Sequence, residues 1–118
     1  MFKTKDVNIN RYDEHHKRGA NYLITKKDRK KATEMLQCLI ENGFDINQRF
    51  NNNSPTLLQD FVDSMNNNYE AIELLIKFGA DVNAPYISRK AIEFPTVIQY
   101  VMNQRDEKLK RIFNQQQE

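Results

Sequence analysis

Two stretches of this 118-residue chain are nearly the same: Leu39-Ile40-Glu41-Asn42-Gly43-Phe44-Asp45-Ile46-Asn47 and Leu75-Ile76-Lys77-Phe78-Gly79-Ala80-Asp81-Val82-Asn83, 36 positions apart. Recurrence at such a period marks a repeat architecture, in which each unit buries its apolar face against the next. Upstream of each glycine, apolar residues fall at helical spacing: Leu36, Leu39 and Ile40, then Ile72, Leu75 and Ile76. Gly43 and Gly79 stand where those helices must stop, since the left-handed conformation that ends a helix is cheap only for glycine. The Asp and Asn that follow suit a tight turn.

A second recurrence supports the period. Pro55-Thr56-Leu57-Leu58-Gln59 is echoed 40 positions later by Pro95-Thr96-Val97-Ile98-Gln99. Threonine before an apolar run is a helix-start signal, its hydroxyl capping free amides. The unit is then turn, helix, short loop, helix, glycine stop and extended excursion. This pattern predicts helices over 12–25, 29–41, 57–65, 96–103 and 106–113, besides the one that ends before Gly79.

The run from Glu70 to Ala84 (Glu70-Ala71-Ile72-Glu73-Leu74-Leu75-Ile76-Lys77-Phe78-Gly79-Ala80-Asp81-Val82-Asn83-Ala84) closely resembles the second helix and turn of the ankyrin repeat family, and Leu36 to Asn47 is a further match. The family's Thr-Pro-Leu-His opening is degenerate here, with Pro55-Thr56 and Pro95-Thr96 in reversed order and no histidine. The resemblance implies an all-α fold, an ankyrin-type solenoid of about three helix-turn-helix repeats. Two hairpin-like fingers are expected, from Asn47 to Ser54 and from Asn83 to Phe94. A single domain is expected over 1–113, with repeats at roughly 11–47, 48–83 and 84–113, followed by a frayed polar tail at 114–118. Polar caps at both ends fit a complete array.

Composition excludes several classes. No apolar run approaches the roughly 18 residues that span a bilayer, and the start of the chain leads into no signal-peptide core. A lone cysteine, Cys38, forms no internal disulfide and points to a reducing, cytoplasmic setting. His15 and His16 are adjacent, about 100° apart on a helix, and do not share a metal in the i, i+4 manner. The three glycines are isolated, so there is no phosphate loop. With no catalytic constellation, the expectation is a protein that is not an enzyme and needs no cofactor.

Charge is uneven. Residues 1–31 hold ten Lys/Arg against four Asp/Glu, a net of +6, and residues 32–118 hold eight against twelve, a net of −4. The basic end includes Lys26, Lys27, Arg29, Lys30 and Lys31, a solvated cap or a secondary site for acidic groups. Nucleic-acid binding wants a broader basic face with interleaved aromatics, and the acidic remainder argues against it.

What remains is surface. The resemblance implies that fingers and first helices form a face that holds a protein. On the fingers stand Arg49, Phe50, Tyr86, Ile87, Arg89 and Lys90, and aromatics and arginine dominate binding hot spots. Phe50 and Ile87 occupy comparable places and either pack on each other or face a partner. On the inner helices Gln59, Asp60, Asp63, Gln99, Tyr100 and Asn103 lie between core positions. Asp60 and Tyr100 are counterparts, expected to be wet. The function expected is protein binding that occludes a target, as in a small inhibitor or immunity-type protein. The chain is expected to be a monomer or a weak homo-oligomer. The alternative function is a structural adaptor or self-assembling subunit, and behind it a basic-cap nucleic-acid or phosphate binder.

Overall fold

The computed structural model describes residues 9–15, 17–64, 68–87 and 95–115. Among them the chain forms a short 3-10 helix, Gly19–Leu23, and five α-helices: α1 Arg29–Glu41, α2 Leu57–Asp63, α3 Tyr69–Lys77, α4 Val97–Met102 and α5 Glu107–Gln115. No strand is present among the described residues; one isolated antiparallel bridge joins Pro85 to Thr96.

Each α-helix begins on a side-chain cap. Asp28 accepts from the Lys31 amide, and Asn68 accepts from the Ala71 amide. Thr56 and Thr96 accept from Gln59 and Gln99, and Asp106 from Leu109. These bonds satisfy amides that the helix itself leaves open. The ends of α1 and α3 are equally alike. Gly43 and Gly79 take φ of 98° and 102°. Phe44 then donates to Leu39 O and Ala80 to Leu75 O, while each glycine amide donates to a carbonyl three residues back. That is the double hydrogen bond of a Schellman stop.

The helices pack as neighbours: α1 on α3, α2 on α3, α3 on α5 and α4 on α5, with the 3-10 helix against α1 and α2. Between them lies one core, with Leu36, Leu57, Leu58, Phe61, Ile72, Leu75, Val97, Val101 and Phe113 almost fully buried.

A ladder of asparagines joins successive turns. Asn47 Nδ2 donates to Gly79 O (3.0 Å), and its Oδ1 accepts from the Asp81 amide (2.8 Å). Asn10 does the same one level earlier, on Gly43 O (3.1 Å) and the Asp45 amide (2.6 Å). Ile9-Asn10 thus stands one turn before Ile46-Asn47.

That register overturns the helix expected over 12–25. The described part of 9–18 has no helix, and only the 3-10 helix Gly19–Leu23 remains. Asp13 is the local reason: its Oδ1 accepts from both the His15 and Lys17 amides, a side-chain turn that competes with helix. Tyr22 donates its hydroxyl to the other Asp13 oxygen. The later helices fall where the pattern puts them, although α2 closes at Asp63 with Ser64 as its cap; Met65, the end of its expected span, lies outside the described residues.

Candidate functional site

The first residue of interest on each inner helix sits four places after its cap. After Arg18, Thr56 and Thr96 these are Tyr22, Asp60 and Tyr100. They hold the same register position on the 3-10 helix, α2 and α4. Tyr22 is 52% exposed and Phe50 40%. Tyr22 was not among the expected site residues, because the helix assigned to its segment hid the match with Asp60.

The first excursion is tied to the amino-terminal strap (9–18). Arg18 is only 2% exposed. Its guanidinium donates to Asn10 Oδ1 (3.1 Å), Asp45 O (2.7 Å) and Gln48 O (3.1 Å). It lies over the Phe44 ring at 4.2 Å and the Tyr12 ring at 5.3 Å. Arg49 is half-buried and donates to Asn52 O (3.2 Å), which shapes the excursion from within. The Phe50 ring meets Tyr12 edge-on at 5.2 Å.

The second excursion is held at its base. Gln59, expected to face the groove, is 2% exposed and turned onto Ile87. Its Oε1 accepts from the Ile87 amide (2.9 Å) and its Nε2 donates to Ile87 O (2.6 Å). Tyr86 stacks on Tyr100 with centroids 4.1 Å apart and planes 12° apart. Its hydroxyl donates to Asp63 Oδ1 (3.0 Å), and burial raises its pKa well above the ordinary phenol value. Tyr86 and Tyr100 are therefore brought together, each half-buried, and Ile87 is anchored through its backbone. Arg89 and Lys90 lie outside the described residues.

Asp60, expected to be wet, is half-buried. Its Oδ2 accepts from Asn21 Nδ2 (2.9 Å). Burial pushes its carboxyl up to about 6, with Asp63 adding to the rise, while Lys17 and the Asn21 bond oppose it. Asp60 faces a cleft of about 350 Å³ between the strap and the first excursion, lined also by Tyr12, Lys17, Arg18, Gln48 and Phe50. The site expected as one surface thus divides into this polar cleft and the Tyr86–Tyr100 pair, with Asp60 and Asp63 of α2 between them.

The secondary basic group lies elsewhere. Arg29, Lys30 and Lys31 occupy the exposed first turn of α1, and Lys27 is exposed just before it. Cations there oppose the helix dipole. Asn68 and Thr33 both donate to Arg29 O, which fixes the backbone of that turn against α3.

Among the described residues no His/Cys/Asp/Glu group has metal-binding spacing, and no helix is long and apolar enough to cross a membrane. Residues 56–86 match the family model of the ankyrin repeat. No curated protein and no solved structure matches the chain.

Proposed function

From the premise that a chain carrying an ankyrin repeat at 56–86 is an ankyrin-repeat protein, we propose that it is a short solenoid of about three repeats that binds and occludes one target protein. Ankyrin repeats are interaction modules and typically do no chemistry of their own. The reading is supported most by the held first excursion and the held base of the second, beside inner helices that carry Tyr22, Asp60 and Tyr100 at equivalent positions. Gln59 ties down Ile87, and Arg18 ties down Gln48, so the surface loses little freedom when a partner arrives. Aromatic anchors beside carboxylates and Arg49 give a face of hot-spot character. Arg89 and Lys90 extend it in this reading, and inhibition follows from covering the target's own working surface.

The test is affinity capture with two baits, the wild type and a variant carrying Tyr22→Ala, Phe50→Ala and Tyr100→Ala, both verified as folded by circular dichroism. One stoichiometric protein retained by the first and lost from the second supports the reading; its activity is then titrated with the wild type. Equal retention by both baits contradicts it.

The adaptor reading has one observation in its favour. Leu58 and Val62 of α2 are buried, whereas their counterparts in α4, Ile98 and Met102, are half-buried and line an open groove. A further unit stacked there would cover it. Light scattering at rising protein concentration tests this, a constant monomer mass excluding self-stacking.

A further inference from the structure

The cleft between the amino-terminal strap and the first excursion carries a chemistry that its own packing does not explain. Arg18 is buried with a full positive charge, yet all three of its hydrogen-bond acceptors are neutral oxygens, from Asn10, Asp45 and Gln48. Its Nε has no partner among the described residues, and neither has the Tyr12 hydroxyl, although both atoms are shielded from water. Buried donors are normally satisfied, and each one left open costs the free protein stability. Both residues line the same cleft.

We propose that this cleft receives an aspartate or glutamate side chain of the bound protein, its carboxylate taking hydrogen bonds from Tyr12 and Arg18. The inference rests on the protein-binding reading above and names the chemistry that one part of that face selects. An arginine Nε only donates, so the missing partner is an acceptor, and a buried guanidinium favours an anionic one. Lys17 and His15 also line the cleft, and the Lys17 ammonium adds attraction. Phe50, packed edge-on to Tyr12 and 40% exposed, is the wall that yields on entry.

Asp60 selects among anions. It lies in the same cleft, with Lys17 and Asp63 the charged groups acting on it and Asn21 donating to it. A phosphate dianion would meet a second negative charge there. A carboxylate can share a proton with Asp60, as paired carboxyl groups do. Dehydration has already raised the Asp60 carboxyl to about 6, so the shared proton is within reach near neutral pH.

The experiment follows backbone amide shifts of the full chain during titration with sodium acetate and with N-acetyl-glutamate amide, inorganic phosphate being the comparison. Saturable shifts confined to residues 12–21, 48–55 and 60 are expected, stronger at pH 5.5 than at 7.5. Tyr12→Phe keeps the ring against Phe50 and removes only the hydroxyl. It should weaken carboxylate binding about tenfold, the worth of one hydrogen bond to a charged group. Asp60→Asn should tighten binding and flatten its pH dependence. A merely structural Tyr12 predicts an unchanged affinity in Tyr12→Phe, and that result overturns the proposal. So do shifts that never saturate, or tighter binding of phosphate at the same residues. Because the probe is a small carboxylate, the outcome is independent of whether any protein is captured.

Discussion

Gln59 grips Ile87 with both ends of its side-chain amide, accepting from the Ile87 N–H at 2.9 Å and donating to its carbonyl at 2.6 Å. A side chain here does what a neighbouring strand does in a sheet. It satisfies a backbone unit in the excursion and joins it to α2, next to Asp60 and Asp63. Together with the Tyr86–Tyr100 stack and the Tyr86–Asp63 bond, it fixes the base of the second excursion, Tyr86 and Ile87, against α2 and α4.

Gln59→Ala should therefore cost about 2 kcal/mol, chiefly the loss of the two hydrogen bonds to Ile87 with their partners left half-buried, the bond to the exposed Asp63 carboxylate adding little. Denaturant unfolding measures the cost, and amide exchange localises it. The Ile87 amide should lose its protection while those of α1 keep theirs; uniform loss across the chain would mean that Gln59 serves the core and not the excursion.

The asparagine ladder predicts unequal effects from one substitution. Asn47→Ala removes the bonds to Gly79 and Asp81 and should cost about 1–2 kcal/mol. Asn83 occupies the next rung and is exposed, with no side-chain bond among the described residues, so Asn83→Ala should be nearly neutral. Asn10→Ala should cost the most, because its Oδ1 also accepts from Arg18. Thermal unfolding of the three variants gives the order directly.

Gly79 tests backbone conformation apart from packing. A Cβ built there meets nothing within 4 Å, but φ is +102°. Gly79→Ala should cost about 1–2 kcal/mol through backbone strain alone and leave partner affinity unchanged in the fraction that remains folded. Loss of affinity at full stability would place Gly79 in the interface.

Asp60 should make the fold more stable in mild acid. Its carboxyl rises from the ordinary aspartate value of 3.8 to about 6 in the folded chain, chiefly through burial. Between those values the folded chain holds a proton that the unfolded chain has released. Stability accordingly falls as pH rises through that window, and the ionised carboxylate is a standing cost at pH 7. Asp60→Asn should remove a cost on the order of 2 kcal/mol at pH 7 and have little effect below pH 4. Urea midpoints from pH 4 to 8 measure the difference.

The helices were legible because their signals are local. Thr56 and Thr96 announce starts, Gly43 and Gly79 announce stops, and the apolar spacing between them leaves little choice. The strap was misread for lack of a comparison the sequence did contain. Asn8-Ile9-Asn10 echoes Asp45-Ile46-Asn47 at 37 positions, and the turn at Ile46-Asn47 is followed by several non-helical residues, the course that the described part of 9–18 also takes. The functional pairings were hidden for a different reason. Gln59 with Ile87, Arg18 with Gln48 and Tyr86 with Tyr100 join residues from separate units, and no periodicity says which polar side chain turns inward. Asp60 shows the hazard: a charged residue at a face position was expected to be wet, and the 3-10 helix packs against α2 with Asn21 donating to it.

The central claim is that a protein docks on the inner helices and the two excursions. Amide hydrogen exchange on the complex with the captured partner tests it most directly. The account predicts new protection at residues 48–54, 59–63, 84–87 and 98–103, with α1, α3 and α5 exchanging as in the free chain. Protection confined to those three outer helices would contradict it.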